Sequence, residues 1–143
     1  MQAGIRAVDA GALVRRALAH NVIAVGNVWI LAAGKASLAM AAAAVGVLGS
    51  RVQGGLVVPP VGVDAPAPLE VIVGQHPQPG GGSEAAARRA IEIASSVPPD
   101  GQLVVLISGG ASSLLALPIE GIPLDDKRAV TGVLLREIGR AHV

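Results

Sequence analysis

The chain has no cysteine, no phenylalanine and no tyrosine, and a single tryptophan among 143 residues. The missing cysteine removes disulfides, thiolate metal sites and thiol nucleophiles together. The three histidines, His20, His76 and His142, are too widely separated to form a zinc-binding pattern. With hydrophobic residues at 52% and aromatics at 1%, the core has to be filled by Ala, Val, Leu and Ile. An excess of one charge is also lacking: eleven basic and ten acidic residues leave a net charge of +1. No basic cluster is interleaved with aromatics, so nucleic-acid binding is not indicated. A membrane-crossing run is missing as well. The span Val28 to Leu48 is broken by Gly34 and Lys35, and each part falls short of the about 20 residues a bilayer needs. No apolar segment follows Arg6, Asp9, Arg15 and Arg16 as a signal peptide would require. A soluble cytoplasmic protein of one domain's length is the expectation.

What is present alternates between strands and helices. "AVDAGALVRRALA" reads as an amphipathic helix with Val8, Leu13 (or Ala12) and Leu18 on its apolar stripe and Arg15 and Arg16 off it. "NVWILAAGKASLAMAAAAVGVL" reads as a strand, a tight turn at Gly34 and an Ala-rich helix to about Leu48. "GGLVVPP" is a strand stopped by Pro59 and Pro60, which cannot donate to a ladder. "LEVIVG" reads as a further strand. The loop "GQHPQPGGG" leads to Ser83, a plausible N-cap for the helix "EAAARRAIEIASSV", whose first turn holds Glu84. "QLVVLIS" is another continuously apolar strand, and a last helix starts near "LDDKRAVTGVLLRE". Strands apolar on both faces, alternating with helices, predict an α/β fold: a Rossmann-like parallel sheet with helices on both faces. No repeat with a period of 20 to 50 residues is found.

Polar chemistry follows three of the strands, at the carboxyl edge where a doubly wound sheet binds ligands. Lys35 opens a helix, where the macrodipole opposes a cation and an anion would reverse the sign. It serves equally well as a lysine running off the helix start into water. A P-loop is excluded, because G-x-x-x-x-G-K-[ST] finds Trp29 and Ala36 at two required positions. "SGGASS" offers another device. Gly109 and Gly110 allow backbone N–H groups to converge on an anion, with Ala111 completing the turn and Ser108, Ser112 and Ser113 adding hydroxyls. The plain alternative is a tight turn in which Ser112 merely caps. The spacing of Ser112 and Ser113 does not match the nucleophile elbow G-x-S-x-G. His76, stiffened by Pro77 and Pro79, has the side chain of a general base or phosphate donor, or of an ordinary loop histidine. Asp125, Asp126 and Lys127 fit helix-start chemistry. "AAGKASLAM" lacks the three glycines of a dinucleotide fingerprint.

Taken in order, "AAGKASLAM", "GGLVV", "GQHPQP", "LVVLISGGASSLL" and "LPIEGIPLDDKRAVTGVLL" resemble the N-terminal part of the glycerate 2-kinase family, some of whose members are named hydroxypyruvate reductases. The resemblance runs from about Ala7 to Arg136. It implies phosphoryl transfer from ATP to the 2-hydroxyl of D-glycerate with Mg²⁺ assisting, in a cleft between a Rossmann-like domain and a second, C-terminal domain. It carries the family's site lysine onto Lys35, its G-H-P motif onto His76 and Pro77, and its glycine-serine turn onto Ser108 to Ser113. Two departures stand out: Ala111 where a third glycine is common, and Pro123 where a capping Thr is frequent, which shifts the expected cap toward Asp125. The metal ligands and the base are not identified by the resemblance. Two other functions stay open, a non-catalytic module binding a sugar phosphate and a hydroxypyruvate reductase. The segment Ile138 to Val143 departs from the family and reads as translated adapter DNA. Residues 1–137 are therefore expected to be a partial N-terminal domain in a truncated reading frame, with the C-terminal domain missing in cis and little activity of its own.

Overall fold

The computed structural model describes residues 9–20, 26–62 and 64–140. Four parallel strands form one sheet: β1 (Val28–Ala33), β2 (Val52–Val58), β3 (Glu70–Val71) and β4 (Gln102–Ile107), in the order β3-β2-β1-β4. Among the described residues five α-helices accompany them: α1 (Ala10–His20), α2 (Ser37–Leu48), α3 (Gly81–Ser96), α4 (Ala111–Leu114) and α5 (Leu124–Arg140). The expected α/β architecture with a parallel sheet is what forms.

Alternation along the strands divides the core. Val28, Ile30 and Ala32 of β1 and Val57 of β2 face α2, whose Met40, Ala41 and Ala44 meet them. Ala33 of β1 and Leu56 and Val58 of β2 face the other way, onto Ala86, Ala90 and Ile93 of α3 and Leu114 of α4. Alanine on the inner faces of α2 and α3 lets the helices approach the sheet closely, which is how a chain almost without aromatics packs. The open side of the sheet is at β4, where Val105 and Ile107 are 54% and 62% exposed.

Three expectations are corrected. The apolar face of α1 is Gly11, Val14 and Leu18, and Leu13 is 45% exposed. The cause is the cap. Asp9 Oδ1 accepts the Ala12 N–H at 2.7 Å and fixes the helix start, which turns Gly11 toward the Ala39 carbonyl. The position of Val8 lies outside the described residues. "LEVIVG" contributes only Glu70–Val71 to the ladder. The Ile72 and Gly74 N–H groups still reach the Val57 and Pro59 carbonyls, each at 3.1 Å, but Pro59 and Pro60 have no N–H to return. At α5, Asp125 and Asp126 occupy the first turn and the Pro123 carbonyl accepts the Asp126 N–H at 3.2 Å, so the cap is not displaced to Asp125. Of the tail 138–143, the backbone as far as Arg140 continues α5, and 141–143 lie outside the described residues.

Among the described residues, no helix is long and apolar enough to cross a membrane.

Candidate functional site

The strand order places the site. From β1 the chain moves outward through β2 to β3, then crosses to β4 on the other side of β1. The switch point therefore lies at the carboxyl ends of β1 and β4, where such sheets open a crevice. β1 runs directly into Gly34 and Lys35, and β4 into Ser108, Gly109 and Gly110.

These two turns are locked together. The Lys35 N–H donates to the Gly109 carbonyl at 2.9 Å, and the Ser108 N–H donates to the Ala33 carbonyl at 3.0 Å. Ser108 Oγ accepts the Ala36 N–H at 3.0 Å, and the Ser37 N–H is taken by the Gly34 carbonyl at 3.1 Å. The Lys35, Ala36 and Ser37 N–H groups leading into α2 are thus taken by protein groups. Gly34 has φ +121°, and a Cβ there would overlap Ser108 Oγ, so only glycine permits the contact.

The donors left open lie one turn further on. Gly110 is left-handed (φ 90°, ψ −4°) and starts the short α4. Among the described residues, the N–H groups of Gly109, Gly110 and Ser112 have no hydrogen-bond partner. A Cβ on Gly110 would sit 2.9 Å from His76 Cδ2, 3.1 Å from His76 Nε2 and 3.6 Å from Lys35 Cε. Lys35 and His76, far apart in sequence, thus converge on Gly110. Lys35 makes no ion pair among the described residues.

The hydroxyls divide the work unevenly. Ser108 caps α2. Ser113 Oγ donates to the Pro77 carbonyl at 2.7 Å, tying the turn to the His76 loop, in which the His76–Pro77 bond is cis. Ser112 is exposed, and Ala111 opens α4.

Ser83 holds the loop from behind, a role that spacing alone misreads as an N-cap. The N-cap of α3 is Gly80, and Ser83 is its third residue, fully buried. Its Oγ accepts the N–H of Gln75 at 2.9 Å and of Gly80 at 3.3 Å, while its own N–H donates to Gln75 Oε1 at 3.1 Å. Both ends of the segment carrying His76 are pinned to this one side chain. The glycine run before the helix hints at close packing, but the partner, Gln75, is visible only in the fold. On the flank, Arg89 of α3 bonds Glu70 of β3, Nε to Oε2 at 2.8 Å, and holds the Glu70 carboxyl below the usual glutamate range through that hydrogen bond.

The family model described as "Domain of unknown function (DUF4147)" matches residues 1–139. D-glycerate 2-kinase of Thermotoga maritima is 34% identical over 113 residues, covering 77% of this chain and 27% of that protein. An Agrobacterium vitis protein with the provisional name hydroxypyruvate reductase is 41% identical over 111 residues, 77% of this chain and 29% of its own length. A crystal structure of glycerate kinase from Thermotoga maritima superposes with a TM-score of 0.85 at 31% identity, covering 94% of this chain and 33% of that one. The chain therefore spans about a quarter to a third of the length of these relatives.

Proposed function

The chain belongs to the DUF4147 family, and on that premise we propose that it is part of a cytoplasmic glycerate 2-kinase. The observation that carries the reading is the corner at the switch point. Lys35 and His76 meet over Gly110, beside three backbone N–H groups without partners. Relatives named as glycerate kinases supply the substrate class.

In this reading the 2-hydroxyl oxygen of D-glycerate attacks the γ-phosphorus of ATP. A new O–P bond forms, the bond to the β,γ-bridging oxygen breaks, ADP leaves, and the hydroxyl proton passes to a base. Such a reaction needs positioning and neutralisation of spread negative charge more than covalent help. Lys35 Nζ supplies a mobile positive charge. The N–H groups of Gly109, Gly110 and Ser112 orient phosphoryl oxygens. His76 is the candidate for taking the proton, positioned through Ser113 at Pro77 and through Ser83 at Gln75. Mg²⁺ does not find a ready donor set in this stretch: among the described residues no three His, Asp or Glu side chains gather to hold a metal. No step above is routed through it.

The test is an assay of the full-length parent with ATP and D-glycerate. Formation of 2-phosphoglycerate is expected; absence of glycerate-dependent ADP release overturns the reading. A second reading, hydroxypyruvate reduction, is favoured by the name of the Agrobacterium relative. The single glycine in "AAGKASLAM" speaks against it, and NADH oxidation with hydroxypyruvate decides between the two. Tight sugar-phosphate binding by this chain alone would instead mark a non-catalytic module.

A further inference from the structure

Gly132 stands in the interior of α5, where glycine weakens a helix relative to alanine. Its φ is not positive, so the backbone does not demand glycine there. What it leaves is space. A Cβ at Gly132 would lie 3.2 Å from Gln78 Nε2 and 3.8 Å from Arg136 Nη1. Two nitrogen donors, one from the loop that carries His76 and one from α5, thus border the same small volume. That volume opens into a groove of about 410 Å³, also lined by Asp125, Arg128 and Val133.

The charges in the groove do not cancel. Arg128 Nη1 is held by Asp125 Oδ1 at 3.0 Å. Arg136 has no ion pair among the described residues, so one guanidinium charge is left over. A guanidinium fork beside an amide donor matches the oxygens of a carboxylate or a phosphate.

We propose that the groove between the His76 loop and α5 is a subsite for a small oxyanion, held by Arg136 and Gln78 in the space kept by Gly132. It is separate from the corner at Lys35 and does not depend on the kinase reading. Through Gln78 it sits next to His76, so an anion bound here borders that corner.

The test uses the 143-residue chain, isotopically labelled, titrated with inorganic phosphate and separately with acetate. Saturable shifts of the Gln78 side-chain amide and the Gly132 backbone amide are expected with at least one of them; the anion that binds more tightly identifies the source. Gly132→Ala is the informative variant. It is expected to weaken binding at least fivefold while the melting temperature holds or rises, which loss of structure cannot mimic. Arg136→Gln is expected to weaken binding similarly, and Lys35→Ala to leave these two shifts unchanged. Absence of saturation at both amides overturns the proposal, as does binding that survives Gly132→Ala but is lost in Lys35→Ala.

Discussion

The hydroxyl of Ser108 accepts the N–H of Ala36 at 3.0 Å, so the end of β4 caps the helix that follows β1. Each strand thereby completes its neighbour's turn, and the two sides of the switch point form as one unit. Ser108→Ala removes this acceptor and is expected to cost about 1 kcal/mol. For a chain of this size that lowers the melting temperature by roughly 3 °C. Gly34→Ala is expected to be far worse, because its φ of +121° and the adjacent Ser108 both exclude a side chain. Thermal melts of the two variants check the order.

Two serines are fully buried, and they predict opposite outcomes. Ser83 Oγ accepts two N–H groups, from Gln75 and Gly80. Ser83→Ala removes the shared acceptor of two partly buried donors and is expected to destabilise by about 2 kcal/mol. Ser37 Oγ has no partner among the described residues. Ser37→Ala therefore removes a desolvated hydroxyl that returns nothing, and stability is expected to hold or rise slightly. Chemical denaturation of the pair tests this, and equal losses in both would refute it.

Glu70 supplies a pH dependence. Its pKa is lowered by the hydrogen bond from Arg89, so the pairing stabilises the fold above the ordinary glutamate pKa of about 4.3 and fades as pH falls through the lowered folded value. The difference in stability between the natural chain and Glu70→Gln is expected at pH 7 and should vanish in acid. Both groups are largely exposed, so the difference is small and shrinks with salt. A constant gap from pH 7 to pH 3 would rule out the carboxylate as its source.

Local patterns made most of the architecture legible. Continuous apolar runs ending at Gly34 or in "SGG" mark strands entering turns, and Pro59 and Pro60 mark a strand end, because each acts through its own backbone. The residues that were misread depend on distant partners. Ser83 looks like a cap from its neighbours and is a loop clamp because Gln75 folds back onto it. Ser108 shows a further role that its neighbours do not reveal: its Oγ accepts the Ala36 N–H because β4 lies beside β1, which leaves its own O–H free to donate. Leu13 looks like core and is exposed because Asp9 sets the start of the helix. That Lys35, the His76 loop and the glycine-serine turn share the carboxyl edge was legible, because each follows a strand of a parallel sheet; that Lys35 and His76 meet over Gly110 follows from the strand order.

The second face of β4 predicts behaviour in solution. Val105 and Ile107 lie exposed on a strand without a charged residue that, among the described residues, is an edge of the sheet. Such an edge pairs readily with other chains. The isolated chain is expected to self-associate as concentration rises, and Ile107→Lys to suppress this while leaving the far-ultraviolet spectrum unchanged. Sedimentation velocity of both proteins at matched concentrations measures it.

Lys35 is exposed and carries no ion pair among the described residues, so its removal should not unfold anything. Its Cε nevertheless lies 3.6 Å from the point where a Gly110 side chain would begin, beside His76. If the charge on Nζ neutralises a transferring phosphoryl group, Lys35→Ala in a complete glycerate 2-kinase carrying this segment lowers kcat/KM at least tenfold, about 1.4 kcal/mol of transition-state stabilisation. Lys35→Arg keeps the charge but replaces a compact ammonium with a planar fork, and is expected to recover only part of the loss. An unchanged melting temperature in both variants separates the effect from folding. Full activity in Lys35→Ala would remove this residue from the mechanism and leave the open N–H groups of Gly109, Gly110 and Ser112 as the phosphoryl-binding element.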